Sequence, residues 1–283
     1  YTQRDTLSLH DALPISRADV LVATDGSGQL ALFAAPPDLI AGLDPAQQAV
    51  VTAAAGPILV HAGPGSGKTR VLTHRIAWRL VRGDVSPAQA LALTFTTKAA
   101  AEMAERLARL RTGPLPLVTT FHALGLLLLR EDPGGYGVSE EFPIASVADR
   151  VAFALSRGSG SGVRARQAAE RLLDQISRAK QSFPSSFAFV PEGPARDALA
   201  ADYAAYQAWL AERGAVDLDD LVLRPLARLE ACADYRAALQ DRFRALFVDE
   251  YQDVNPAQAA LLKHLVGARR DILAIGDPDQ AIY

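Results

Sequence analysis

Residues 62–69, Ala62-Gly63-Pro64-Gly65-Ser66-Gly67-Lys68-Thr69, have the types and order that can wrap a chain of phosphates. Small residues let the backbone curl tightly, so that several N–H groups point inward. A helix opening directly behind such a loop adds the partial positive charge of its N-terminus. The Lys68 ammonium would bridge the β- and γ-phosphates of a nucleotide, and the Thr69 hydroxyl would hold Mg2+. The strict pattern begins with glycine. Ala62 stands there instead, and it is small enough for the turn. A second group of residues lies far downstream, where the apolar run Leu246-Phe247-Val248 ends in Asp249-Glu250. A carboxylate at that position, Asp249, can hold nucleotide-bound Mg2+, usually through water. Glu250 beside it can take a proton from an attacking water. A Gly-rich turn can carry GKT by chance, and acidic pairs are common on surfaces. The strand before each motif is what raises both above those alternatives.

The elements that must position these residues follow from periodicity. Pro57–His61 is a short β-rich run before the loop, and Thr69–Leu80 has helical spacing behind it. Leu91–Phe95 and Leu117–Thr120 read as further strands, with helices over Lys98–Leu110 and Phe121–Arg130. Such alternation predicts a parallel, three-layer α/β sheet. After Pro133 the pattern changes. Helices are expected over Ser146–Ser156, Val163–Gln181, Pro194–Arg213 and Asp217–Ala231, with a Gly/Ser-rich loop at 156–162. Strand patterning returns at Ala245–Val248 and Ile272–Ile275. The expected fold class is therefore α/β, interrupted by an all-α insertion. Ahead of it, Val20–Thr24 and Gln29–Phe33 flank Asp25-Gly26-Ser27-Gly28 and read as a β-hairpin. Pro36-Pro37 marks a linker. At residue 43 a helix begins, with Asp44 as its cap and Pro45 in its first turn.

Composition bounds the rest. A chain of 283 residues with a net charge of −3 is long enough to bury a core unaided, and any nucleic-acid contact must be local. Cys232 is the single cysteine, which excludes an internal disulfide and a cysteine-cluster metal site. No apolar run reaches the roughly 18 residues of a membrane span. With no secretory signal, the expected compartment is the cytoplasm. Only Lys68, Lys98, Lys180 and Lys263 are lysines among 29 basic residues. Both ends read as artificial. Residues 6–15, TLSLHDALPI, translate codon for codon from a nucleotide string resembling a common short-read sequencing adapter. Residues 1–16 are therefore expected to be an artefact and are set aside from fold reasoning. Residues 17–42 are expected to be the hairpin and linker, either the tail of an upstream domain or a short extension. The chain stops at Tyr283 directly after a motif, as a gene fragment would.

With these residues in view, the chain resembles the N-terminal half of a UvrD/Rep/PcrA-type superfamily 1 DNA helicase. The resemblance rests on seven segments in order: LDPAQQAV (43–50), AGPGSGKTRVLTHRIAWRL (62–80), LTFTTKAAAEM (93–103), TTFHALGLLLLR (119–130), VDLDDLV (216–222), VDEYQDVNPAQ (248–258) and IGDPDQAIY (275–283). It implies a RecA-like, P-loop ATP-binding domain over 43–130 and 216–283, with a small helical subdomain inserted at 131–215. It further implies that ATP and Mg2+ are bound. Gln47 would read the adenine edge, since an amide donates and accepts at once. Arg70 would lie against the base. Gln280 would sense the γ-phosphate and the attacking water, while Asp277 and Asp279 shape their loop. Gln252 and Asp253 would couple the nucleotide and DNA sites. For single-stranded DNA and its junctions with duplex, the matching positions are Phe95, Thr120, His122 and Tyr283. Aromatic faces stack on bases without sequence preference, and hydroxyls and histidine hold phosphates. By residue type alone, all four would pass as structural.

The family's second RecA-like domain, with its γ-phosphate arginines, has no counterpart in the chain. The fragment is expected to bind MgATP weakly and to unwind nothing. The leading expectation is a parent motor stepping 3′ to 5′ on single-stranded DNA. A helicase–nuclease subunit of the RecB/AddA kind and a non-motor nucleotide- or DNA-binding module remain open. A small-molecule kinase would not carry this series of segments.

Overall fold

The computed structural model describes residues 39–111, 113–158, 160–183 and 187–280. The hairpin expected over 20–33 and Tyr283 lie outside them. The described residues form two compact units. One comprises 39–120, 233–254 and 262–280, and the other 121–232 and 255–261.

The first unit opens with helix α1 (Pro45–Thr52). Asp44 accepts from the Gln47 N–H and Gln47 returns a bond to the Asp44 N–H, a capping box that fixes the helix start. Strand β1 (Pro57–His61) leads through the Gly-rich loop to α2 (Lys68–Val81). Strand β2 (Ala90–Thr94) precedes α3 (Thr97–Leu110), which the Thr96 hydroxyl caps at Ala99 N–H. Strand β3 (Leu117–Thr120) ends where the chain enters the second unit.

Four α-helices follow in that second unit: α4 (Phe121–Glu131), α5 (Val147–Arg157), α6 (Gly162–Gln181) and α7 (Pro194–Glu212). Then comes α8 (Asp220–Ala231). It starts three residues later than the expected Asp217, because 217–219 form a polar turn instead. Back in the first unit, α9 (Ala233–Arg242) precedes β4 (Ala245–Val248); α10 (Pro256–Val266), divided between the two units, leads to β5 (Ile272–Gly276). Neither α9 nor α10 is announced by the periodicity of the sequence.

The five strands are all parallel, in the order β1-β5-β4-β2-β3. The three central strands are buried along their whole length, as apolar parallel strands covered on both faces must be. Val51, Leu72, Ile76, Met103, Leu107, Phe247 and Ile275 form the core around them. Asp271, just before β5, receives a two-pronged bond from Arg79 at 3.2 and 2.9 Å, which ties α2 to the sheet.

Among its described residues the second unit has no strand beyond an isolated bridge between Ile144 and Val216. Its core joins Phe153, Leu173, Ile176, Tyr206 and Leu210. Where α4 meets α8, Gly125 is obligatory: a Cβ there would stand 1.7 Å from the Leu221 carbonyl oxygen. Beside this core Lys180 is wholly buried, bonded to Asp217 at 2.9 Å and Asp220 at 2.7 Å. The Tyr206 hydroxyl also donates to Asp217, at 2.9 Å. Burial raises the proton affinity of both carboxyls. Lys180 pulls Asp217 below the usual carboxylate range, whereas Asp220, repelled also by Asp217, stays above it.

Candidate functional site

In an open parallel sheet, ligands bind beyond the carboxyl ends of the strands. Three of the segments singled out in the sequence converge there. β1 ends in the Gly-rich loop, β4 in Asp249-Glu250 and β5 in Gly276-Asp277. The ends are tied together by main-chain bonds, Ala62 N–H to Gly276 O at 3.0 Å and Asp249 N–H to Leu93 O at 2.9 Å.

The loop is shaped for a polyanion. Gly65 and Gly67 have φ of 70° and 83°, conformations that need glycine. Ser66 closes the turn, its hydroxyl donating to Gly63 O at 2.7 Å. Gly67 precedes α2 without any side-chain cap, so the first N–H groups of that helix keep their hydrogen-bonding capacity for an anion. The missing Cβ atoms and the bare helix end fit a nucleotide's phosphates. Ala62, with the loop closing on Gly276, fits the same turn.

Thr69 and Asp249, 180 positions apart, meet at 3.3 Å, the hydroxyl donating to the carboxylate. Lys68 Nζ lies 3.5 Å from Glu250 Oε2. Asp249 is buried, and burial followed by the neighbouring Glu250 charge raises its pKa. A hydroxyl and a carboxylate are hard oxygen donors. With phosphate oxygens and water they suit Mg2+, which seldom relies on an all-protein cage. The described residues contain no cluster of three or more His, Cys, Asp or Glu that could hold a metal ion.

Glu250 itself sits at φ 50°, in the left-handed region. That conformation costs a non-glycine residue on the order of 1–3 kcal/mol and is held only by its surroundings. The Glu250 carboxylate is gripped by Gln252. The Gln252 amide donates to Glu250 Oε2 at 2.9 Å and its carbonyl accepts from Asp277 N–H at 2.9 Å, so one side chain bridges the ends of β4 and β5. Gln280 in turn donates to Asp277. A cleft of about 410 Å³ opens beside this network, lined by Phe95, Thr96, Glu250, Gln252, Asp253 and Gln280 among others. Phe95 thus shares a cleft with Glu250 rather than ending in the core.

Of the remaining expected residues, Gln47 stands at the phosphate loop. Gln47 Nε2 donates to Ser66 O at 3.0 Å, while its oxygen serves the capping box, so both ends of the amide are engaged. Arg70 donates to Gly42 O at 3.1 Å. Thr120 is buried at the end of β3. His122, in the first turn of α4, is half-buried, and burial lowers its pKa against the pull of Asp219. The main-chain role of Gln252 and the burial of Lys180 went unread in the sequence. Lys180 had a signal: with Ala169, Leu173 and Ile176 it falls on the apolar stripe of α6.

Residues 43–283 match the profile of the UvrD/REP helicase N-terminal domain. The chain is 36% identical over 251 residues to the ATP-dependent DNA helicase PcrA of Bacillus subtilis (strain 168), covering 87% of the chain and 34% of that protein. It is 37% identical over 248 residues to the protein of the same name from Leuconostoc citreum, covering 86% and 33%. With that of Staphylococcus aureus (strain Mu50 / ATCC 700699) it shares 34% over 247 residues, covering 84% and 33%. The chain spans about a third of the length of these relatives. The phosphate loop, the acidic strand end and the parallel RecA-like sheet that carries both, taken with this match, make the chain a member of the UvrD/REP helicase family.

Proposed function

We propose that the chain is the ATP-binding N-terminal part of an ATP-dependent DNA helicase or translocase. The observation that carries this reading is the meeting of Lys68, Thr69, Asp249 and Glu250 at the carboxyl ends of β1 and β4. The names of the relatives support it.

In this reading the N–H groups of 62–67 and the start of α2 cradle the phosphates, and Lys68 exchanges its pairing with Glu250 for the β- and γ-phosphates. Thr69 and Asp249 hold Mg2+, which when bound neutralises charge on the phosphate oxygens. Glu250, aimed by Gln252, accepts the proton of the attacking water. Gln280 orients that water and reports on the γ-phosphate to the Asp277 loop. Gln47 reads adenine by exchanging its bond to Ser66, and Arg70 flanks the base.

Single-stranded DNA and its junctions with duplex are the proposed polymer substrates. Phe95 stacks on a base from the cleft, with Thr120, His122 and Tyr283 as further contacts. Residues 43–130 and 216–283 form the ATP-binding domain and 131–215 the inserted subdomain. A second RecA-like domain of the parent supplies the other wall of the nucleotide site, and movement runs 3′ to 5′ in the cytoplasm. Among the described residues no helix is long and apolar enough to cross a membrane.

The test is titration of the chain with MgATP, with Lys68→Ala as control, and hydrolysis with and without single-stranded DNA. Weak binding lost in Lys68→Ala, with negligible DNA-stimulated turnover, is the expected result. Binding indifferent to Lys68 refutes the nucleotide reading, and robust Lys68-dependent turnover refutes the inactivity of the isolated chain.

A further inference from the structure

Arg75 is 1% exposed and among the bulkiest fully buried side chains of the described residues. It lies in the middle of α2, yet it serves α1. Its Nη1 donates to Val51 O at 2.9 Å and to Ala53 O, and its Nη2 donates to Ala54 O at 2.8 Å. Val51 is in the last turn of α1, and Ala53 and Ala54 follow it. The last carbonyls of a helix have no partner within it, and α1 has no basic residue of its own in its last turn. Arg75 fills both needs from the neighbouring helix. Burial, then repulsion from Arg79, lowers its pKa to about 10, which leaves it charged at neutral pH.

The other end of the α1 segment is held by the same helix. Arg70 donates to Gly42 O at 3.1 Å, and His74 Nδ1 pairs with Leu39 O at 2.7 Å. Helix α2 starts at Lys68 in the phosphate loop, while α1 carries Gln47, bonded to Ser66 O in that loop. The separation of Gln47 from the phosphate loop is therefore fixed by how α2 grips α1.

We propose that Arg75 is a positioning residue for base selectivity. By locking the C-terminal end of α1 against α2, it sets where Gln47 stands relative to bound phosphates, while phosphate capture itself stays with the loop. The proposal rests on the nucleotide reading above. A guanidinium presents several donors in one rigid fork, and a lysine ammonium is a point charge that cannot span three carbonyls in the same way.

The experiment is calorimetric titration of the whole chain with the magnesium complexes of ATP, GTP and inorganic tripolyphosphate. Wild type is compared with Arg75→Met, Arg75→Lys and Lys68→Ala, each checked for folding by thermal melting. The expected result is that Arg75→Met shrinks the ATP-over-GTP preference about tenfold, the scale of one well-placed polar contact. Tripolyphosphate affinity should stay within about twofold of wild type, a shift too small to signal a lost contact, and Arg75→Lys should fall between. An unchanged ATP-to-GTP ratio in a folded variant overturns the proposal. So does an equal loss of ATP and tripolyphosphate. If Arg75→Met fails to fold, Arg75→Lys decides, and unfolding of both assigns Arg75 to stability alone and overturns the proposal too. Wild type binding neither ATP nor tripolyphosphate, or binding untouched by Lys68→Ala, sinks the nucleotide reading itself and this proposal with it.

Discussion

Lys68 Nζ lies 3.5 Å from Glu250 Oε2, joining the phosphate loop after β1 to the acidic end of β4. In the proposed function both residues handle the nucleotide, so the carboxylate would compete with phosphate for the same ammonium. A pair at this spacing is worth about 1 kcal/mol in a water-like medium. Glu250→Gln is therefore expected to tighten MgATP binding by roughly fivefold while removing any hydrolysis. Calorimetry checks the first part and phosphate release the second. Equal or weaker binding in the variant would show that the ion pair does not compete.

Gly276 is expected to be intolerant of any side chain. A Cβ there would stand 2.7 Å from Gln252 Oε1, 3.1 Å from Gln252 N and 3.2 Å from Tyr251 N. Gln252 would have to move and surrender its bonds to Asp277 and Glu250. Gly276→Ala should cost about 1–3 kcal/mol in urea unfolding, the range for a buried polar group losing its partner. Gln252→Ala should cost a similar amount, and the double variant less than the sum. Full additivity would mean that the glycine does not act through Gln252.

Lys180 satisfies two buried carboxyls, so its removal leaves charge without compensation. Lys180→Met is expected to destabilise the helical unit by about 3–5 kcal/mol. Adding Asp217→Asn and Asp220→Asn should recover a substantial part, because the cost lies in stranded charge rather than lost volume. Thermal melts of the three proteins check this. No recovery in the triple variant would assign the loss to packing.

The depressed pKa of His122 sets a pH dependence. Its unfolded value is near 6.5 and burial places the folded value lower, with Asp219 opposing. The unfolded chain therefore takes the proton first. The contribution to stability is complete above about 6.5 and is lost as pH falls from there through the folded value. Melting temperature should drop between pH 7.5 and 5.5 in wild type, and drop less in His122→Gln. Identical slopes would remove His122 as the source.

Much of the site was legible before the fold was seen, because its signals lie within single elements. The Gly-rich loop announces itself by residue size between a strand and a helix. Leu246–Val248 announces a buried strand, and Asp249-Glu250 stands out because charge follows it abruptly. The α/β alternation and the helical stretch after residue 133 are likewise local patterns of period 2 and 3.6. Tertiary structure decided the rest. Helix α9 buries only Leu239, and so offers no apolar stripe to read. The left-handed Glu250 and its hold by Gln252 depend on β4 and β5 lying side by side, an order that the chain does not spell out. Lys180 meets Asp217 across 37 positions and Arg79 meets Asp271 across 192, so each pairing exists only once separate elements have packed. Sequence determined which residues could do the chemistry. Packing decided which of them stand together, because a hydrogen bond is set by distance in space and not by separation along the chain.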